Sequence, residues 1–244
     1  MPPGPTFIRA VVFDLDDTLY PERDYVRSGY RAAASYLRQM LGRAEAFEDW
    51  LWSRFQAACA GEDFLPGFSG GAFDALNVRF DLGLKPSQIA ELVRVYREHR
   101  PNIRPFGETP YLLGRLHEQV GLGLLSDGFL PAQRLKFEAL GLTRFFDEVI
   151  FTEELGREAW KPSPAGFERI ARLLGVPHDA CAYVADNPAK DFLAANRLGW
   201  RTVQFLQLGQ IHAHKPAPPG GEARFRVRAI DGLADVLKQG APTR

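Results

Sequence analysis

Residues 7–19 read FIRAVVFDLDDTL. The first seven are apolar, β-branched or aromatic apart from Arg9, a composition that suits a strand buried on both faces. The run then turns to acid at Asp14, Asp16 and Asp17, followed by Thr18. Parallel sheets bind ligands beyond the carboxyl ends of their strands, so a buried strand stopping in acid points to such an edge. The same form recurs at 120–125 (VGLGLL), 147–152 (DEVIFT), 181–185 (CAYVA) and 201–206 (RTVQFL). The second run leads into Ser126-Asp127-Gly128, and the fourth into Asp186. Helical stretches separate the runs. One follows Pro131 and closes at Gly141. One starts at Ser163-Pro164, carries Phe167, Ile170, Ala171 and Leu174 on one face, and stops at Gly175. One starts at Asn187-Pro188, carries Phe192, Ala195 and Leu198, and stops at Gly199. A short strand at 225–228 and a helix at 231–238 finish the chain. Strand and helix alternating over 105–207 predict an α/β fold with a doubly wound parallel sheet.

Residues 24–100 break that rhythm and contain no convincing strand. Val26, Tyr30, Ala33 and Leu37 fall at helical spacing, as do Phe47, Leu51, Phe55 and Ala58, and Ile89, Leu92, Val93 and Tyr96. The expected division is a core of residues 1–20 and 105–244 with an inserted helical domain at 21–104, of three to five helices. Its hinges are expected near Pro21 and Pro101–Pro105. Residues 212–221 form a Pro/Gly loop.

Composition narrows the function. The chain has 244 residues, enough for one domain or a core with an insert. Hydrophobic residues at 45% and charged residues at 25% argue for a folded globular protein rather than a disordered one. Lys+Arg and Asp+Glu number 30 each, so there is no net positive field to mark a dedicated binder of nucleic acid or anionic membrane. Cys59 and Cys181 form no C-x-x-C pair, which speaks against a disulfide framework or zinc site and for a reducing cytoplasm. Residues 1–5 (MPPGP) carry no apolar signal core, and no apolar run could span a membrane.

Three acids, a hydroxyl and an ammonium are then expected on one sheet edge: Asp14, Asp16 and Asp186 with Ser126 and Lys161. Carboxylates crowd together only around a cation. Oxygen ligands without Cys or His suit Mg²⁺, whose open positions take phosphate oxygens. A nearby hydroxyl and lysine would neutralise the rest of a phosphoryl group. These residues therefore predict magnesium-dependent phosphoryl chemistry.

Asp14-Leu15-Asp16-Asp17-Thr18-Leu19 resembles the D-x-D-x-T-L signature of the haloacid dehalogenase-like hydrolases. Ser126 resembles that superfamily's second motif, Lys161 within Trp160-Lys161-Pro162 its third, and Asp186-Asn187-Pro188-Ala189-Lys190-Asp191 its fourth. The four stand in the family's order, and the helical insert lies where its first type of cap lies. Ala185 stands where many relatives have Gly. The resemblance implies a Rossmann-like core and a phosphatase with these roles. Asp14 is the nucleophile that forms an aspartyl-phosphate, and Asp16 is the general acid and base. Mg²⁺ is held by Asp14, Asp186 and the Asp16 carbonyl. The phosphoryl group is held by Ser126, the Asp127 backbone N–H and Lys161, with Thr18 and Asp191 in support. Asp191, placed in a first helical turn, would orient Lys161 or a metal-bound water. The cap would close over a small phosphorylated metabolite, with Tyr20 and Tyr25 as candidate substrate contacts. The protein is expected as a monomer or homodimer without nucleic-acid or membrane partners.

Dehalogenation is discounted because Asp16 is present, and imine-dependent phosphonate hydrolysis because the insert's lysine is Lys85 alone, at a helix start. A phosphomutase, or a phosphorylation-controlled module like receiver domains, remains as an alternative. His212 and His214 read as loop residues, Trp50, Trp52 and Phe55 as core of the insert, Lys190 as a surface lysine, and Asn187 as a helix cap.

Overall fold

The computed structural model describes residues 7–62 and 70–238. The N-terminal stretch read above as lacking a signal core lies outside the described residues. Six parallel strands form one sheet: β1 (Ala10–Phe13), β2 (Gly121–Ser126), β3 (Glu148–Phe151), β4 (Cys181–Ala185), β5 (Arg201–Phe205) and β6 (Phe225–Val227). Their order is β3-β2-β1-β4-β5-β6. Phe13 lies opposite Leu124 on one side and Val184 on the other, so β1 is central. The chain winds away from β1 in both directions, and the switch falls between β1 and β4, the point where such sheets open a ligand crevice. Pairing starts at Ala10, and Phe7 at the head of the expected strand is 46% exposed.

The helices are α1 (Glu22–Leu41), α2 (Phe47–Cys59), α3 (Ala72–Arg79), α4 (Pro86–Glu98), α5 (Thr109–His117), α6 (Ala132–Ala139), α7 (Ala165–Leu173), α8 (Leu193–Arg197) and α9 (Ile230–Lys238). The chain divides into two compact units, residues 1–22 with 103–244, and residues 23–102. In the sheet unit, α7 buries Phe167, Ile170 and Ala171, as their spacing requires. Phe167 meets Tyr183 and Trp200 edge-on, at ring separations of 4.8 and 5.5 Å. This close packing uses Gly123 of β2, where an added Cβ would stand 2.7 Å from Ile170 Cδ1. Gly175, at φ +66°, ends α7 in the left-handed conformation.

In the helical unit, α1 presents Val26, Tyr30, Ala33 and Leu37 to a core shared with Phe47, Leu51, Leu76 and Leu92. Trp50 and Phe55 pack against it. On α2 the expected stripe drifts by one residue, so that Ala57 is buried and Ala58 exposed.

One expected helix start is corrected. The helix after β4 begins at Leu193, not at Asn187-Pro188. Asp191 Oδ2 instead accepts the Asn187 N–H at 3.0 Å, and Asn187 Oδ1 accepts the Ala189 N–H at 3.1 Å. These two side-chain acceptors close a turn of their own over 187–191, and Asn187 caps that turn rather than a helix.

Candidate active site

The site stands where β1 and β4 end side by side. The Asp14 N–H donates to the Val184 carbonyl at 2.9 Å, which continues the strand pairing one residue into the acidic loop. Asp186 follows β4, and the 187–191 turn brings Asp191 back towards it. Carboxylate oxygens of Asp14, Asp186 and Asp191 lie within 4.8 Å of one another, all three buried. Within that separation, each pair of ionised carboxylates would repel by at least about 3.5 kcal/mol at an effective dielectric constant of about 20.

Lys161 answers part of this charge. Its Nζ is 2.6 Å from Asp14 Oδ1 and 2.8 Å from Asp191 Oδ1, and it donates to the Tyr183 hydroxyl at 2.7 Å. Three carboxylates against one ammonium leave the trio with a deficit of two positive charges. The pKa shifts express the same imbalance. Burial pushes Asp14 up to about 6, against the pull of Lys161. Burial, then the neighbouring Asp191 and Asp14, push Asp186 well above the carboxylate range. Burial would lower Lys161, but Asp14 and Asp191 outweigh it and hold the ammonium charged. The donor set fits a hard divalent cation: it is all oxygen, and Asp186 Oδ2 is buried without a hydrogen-bond partner.

Asp16 lies apart from this trio. Lys136 Nζ is 2.9 Å from its Oδ1 and 3.0 Å from its Oδ2, Gln133 Nε2 donates to Oδ2 at 2.9 Å, and the Tyr20 hydroxyl donates to Oδ1. Burial pushes its carboxyl up, but Lys136 and the bonds from Tyr20 and Gln133 prevail and hold it below the usual range. The Asp16 side chain is therefore not among the carboxylates that could hold a metal ion, whereas Asp191 is. Tyr20 and Tyr25, expected as substrate contacts, are both buried here. Tyr20 is fully buried, with its hydroxyl on Asp16. Tyr25 is buried in the helical unit, edge-on to Tyr96 at 5.5 Å, and its hydroxyl donates to the Tyr96 carbonyl at 3.3 Å.

Ser126 closes β2 and buries its Oγ without a hydrogen-bond partner, as does Thr18 with its Oγ1. The Asp127 carboxylate is used structurally: Oδ1 accepts from Thr152 Oγ1 at 2.8 Å and from the Lys161 N–H at 3.2 Å. It thereby ties the loop after β2 to the one carrying Lys161. Lys190, expected at the surface, reaches Asp127 Oδ2 at 3.4 Å with a third of its side chain exposed.

Sequence reasoning missed Gln133, Lys136, Tyr183, Gln204 and Gln210. Gln204 Nε2 donates to the Asp186 carbonyl at 2.8 Å. Gln210 Nε2 donates to the Asp17 carbonyl at 2.6 Å, and the Ile211 N–H to Asp17 Oδ2 at 2.6 Å. The H-x-H loop thus begins as a clamp on Asp17, whose φ of +54° needs outside support. His212 Nε2 sits 3.6 Å from Glu22 Oε2. A polar pair at i and i+3 on α6 was the only trace of Gln133 and Lys136 in the sequence.

A family model for haloacid dehalogenase-like hydrolases matches residues 8–199. The chain belongs to that family. Curated relatives of this hydrolase span it nearly end to end. A glyceraldehyde 3-phosphate phosphatase of Methanopyrus kandleri is 29% identical over 95% of this chain and 98% of its own. A ribulose-1,5-bisphosphate 5-phosphatase of Halopiger xanaduensis is 28% identical over 93% and 97%. A phosphoserine phosphatase of Thermus thermophilus is 26% identical over 80% and 88%. Among solved structures, a Bacillus subtilis HAD-hydrolase bound to magnesium superposes with a TM-score of 0.64 at 18% identity, covering 95% of this chain and 99% of that one. A 2-haloacid dehalogenase from Pseudomonas syringae reaches 0.62 at 24%, covering 96% and 100%. At these identities the two structures speak for the fold alone.

Proposed function

We propose that this hydrolase is a Mg²⁺-dependent phosphatase that cleaves a small phosphomonoester through an aspartyl-phosphate on Asp14. The observation that carries the reading is the buried trio of Asp14, Asp186 and Asp191, two positive charges short, with the unpartnered Ser126 Oγ at the end of β2. A bound Mg²⁺ would supply those charges and polarise the phosphoryl oxygens. Asp14 attacks phosphorus, the bond to the leaving oxygen breaks, and Asp16 gives that oxygen its proton. A water oxygen then replaces Asp14 on phosphorus, and Asp16 takes its proton. Lys161 holds Asp14 in place and neutralises the transferring group, while the Ser126 hydroxyl donates to a phosphoryl oxygen.

Three relatives whose names are phosphatases of small phosphorylated metabolites favour the same substrate class here. The dehalogenase alternative has no use for Asp16 with three donors around it. We assign the choice of leaving group to the helical unit as a cap, bounded at residues 21–104. Both cysteines are free, and no helix among the described residues is long and apolar enough to cross a membrane, which agrees with work in the cytoplasm. The test is release of inorganic phosphate from a panel of small phosphomonoesters, with Mg²⁺ or EDTA, beside Asp14→Asn. Turnover that needs Mg²⁺ and Asp14 is expected. Equal rates in the two proteins would refute the assignment. Stable phosphorylation without turnover would favour the binding-module alternative, and return of the phosphoryl group to substrate the mutase.

A further inference from the structure

We propose that Lys136 and Gln133 of α6 are positioning residues for Asp16, holding the proton donor at a fixed place against the phosphoryl-binding loop. The inference rests on the phosphatase reading above. α6 buries Ala132, Gln133, Lys136 and Phe137, so its buried face carries an amide and an ammonium among apolar groups. The Lys136 side chain is 7% exposed. Burying an ammonium costs several kcal/mol unless a counter-charge meets it, and a methionine would fill the same space without that cost. The counter-charge is Asp16, with both carboxylate oxygens within 3.0 Å of Nζ.

The bonds around Asp16 fix an orientation as well as a charge. Oδ1 accepts from Tyr20 and Lys136, and Oδ2 from Gln133 and Lys136. Gln133 Nε2 also donates to the Asp127 carbonyl. One amide group therefore ties the loop after β1, which carries Asp16, to the loop that follows Ser126 at the end of β2. When phosphorus moves from the leaving oxygen to Asp14 and the proton moves from Asp16 to that oxygen, a negative charge appears on Asp16. The carboxylate so formed is the state whose two oxygens Lys136, Tyr20 and Gln133 hold here.

A positioning role predicts a dependence on the leaving group that a merely structural role does not. An alkoxide leaves badly without a proton, whereas p-nitrophenolate leaves readily. The value of kcat/KM reports events through the first phosphoryl transfer, so it is measured with glycerol phosphate and with p-nitrophenyl phosphate. Positioned acid catalysis is worth about 10²–10⁴-fold. Lys136→Met is expected to lose roughly 10–100-fold on the alkyl ester and less than about 3-fold on the aryl ester, part of that acid contribution. Gln133→Met should show the same contrast more weakly, and Lys136→Arg should restore part of the loss. Adding Lys136→Met to Asp16→Asn should cost less than about 2-fold more, because the two side chains act as one unit. Equal losses on both esters, or full additivity in the double variant, would overturn the proposal while leaving the phosphatase reading intact. A wild-type chain that releases phosphate from neither ester would overturn both.

Discussion

Adding Mg²⁺ to the chain is expected to stabilise it increasingly as pH rises from about 5 to 7.5, a range taken from the displacement of Asp14. Folding moves the Asp14 carboxyl from 3.8 to about 6. That is about two pKa units, or roughly 3 kcal/mol at about 1.4 kcal/mol per unit. The sign follows from which state holds the proton more tightly. A carboxyl raised in the folded protein favours folding while protonated, below about pH 4. That contribution is lost as pH rises through the folded value near 6 and is absent above it. Asp186 is raised as well and acts in the same direction. Asp16 and Asp127 are lowered and act in the opposite one. Mg²⁺ would bind the ionised trio, so at pH 5 it would have to displace more protons than at pH 7.5. At 100 times its dissociation constant a cation adds about 2.7 kcal/mol. For a chain of this size that is roughly 5–10 °C in the midpoint of the sheet unit. Differential scanning calorimetry in Mg²⁺ or EDTA at several pH values gives the comparison. Asp186→Asn should be no less stable than wild type in EDTA, since it removes like-charge repulsion, and should show little Mg²⁺ shift. A shift that is flat with pH, or that survives in Asp186→Asn, would refute the reasoning.

Other substitutions test separate parts. Ser126→Ala should lower kcat/KM by about 10–100-fold, the loss of one phosphoryl donor. Its midpoint should move little, because the Ser126 Oγ has no hydrogen-bond partner to lose. Gly123→Ala should destabilise the sheet unit by about 1–3 kcal/mol in urea unfolding, since its Cβ would meet Ile170 at 2.7 Å. Leu37→Ala, at a fully buried position of the helical unit, should cost about 2–5 kcal/mol by the same measurement.

The middle of the sheet was legible because β1 and β4 are buried along their whole length and read as unbroken apolar runs, AVVF at 10–13 and CAYVA at 181–185. Their ends were equally clear, since a buried strand that stops in Asp or Ser is a sharp change of chemistry. The start of α8 was misread because Asn-Pro usually opens a helix. Here Asp191, four residues on from Asn187, bonds back to its N–H and closes a separate turn. That is a local side-chain to backbone bond competing with the helix, which helix-start propensity alone does not weigh. The partners of Asp16 were illegible for a related reason. Gln133 and Lys136 lie 117 and 120 residues from Asp16, on a short helix whose buried face is decided by packing. Tyr20 was noticed for its place after the first motif, but proximity in sequence did not reveal that its ring would turn inwards.

The central claim is a covalent bond between Asp14 and phosphorus. Rapid acid quenching of wild-type protein turning over a ³²P-labelled phosphomonoester with Mg²⁺, followed by peptide mapping, tests it directly. The expected result is a hydroxylamine-labile label on the peptide carrying Asp14, absent from Asp14→Asn. Phosphate release at the full rate with no label on that peptide, or undiminished release by Asp14→Asn, would contradict it.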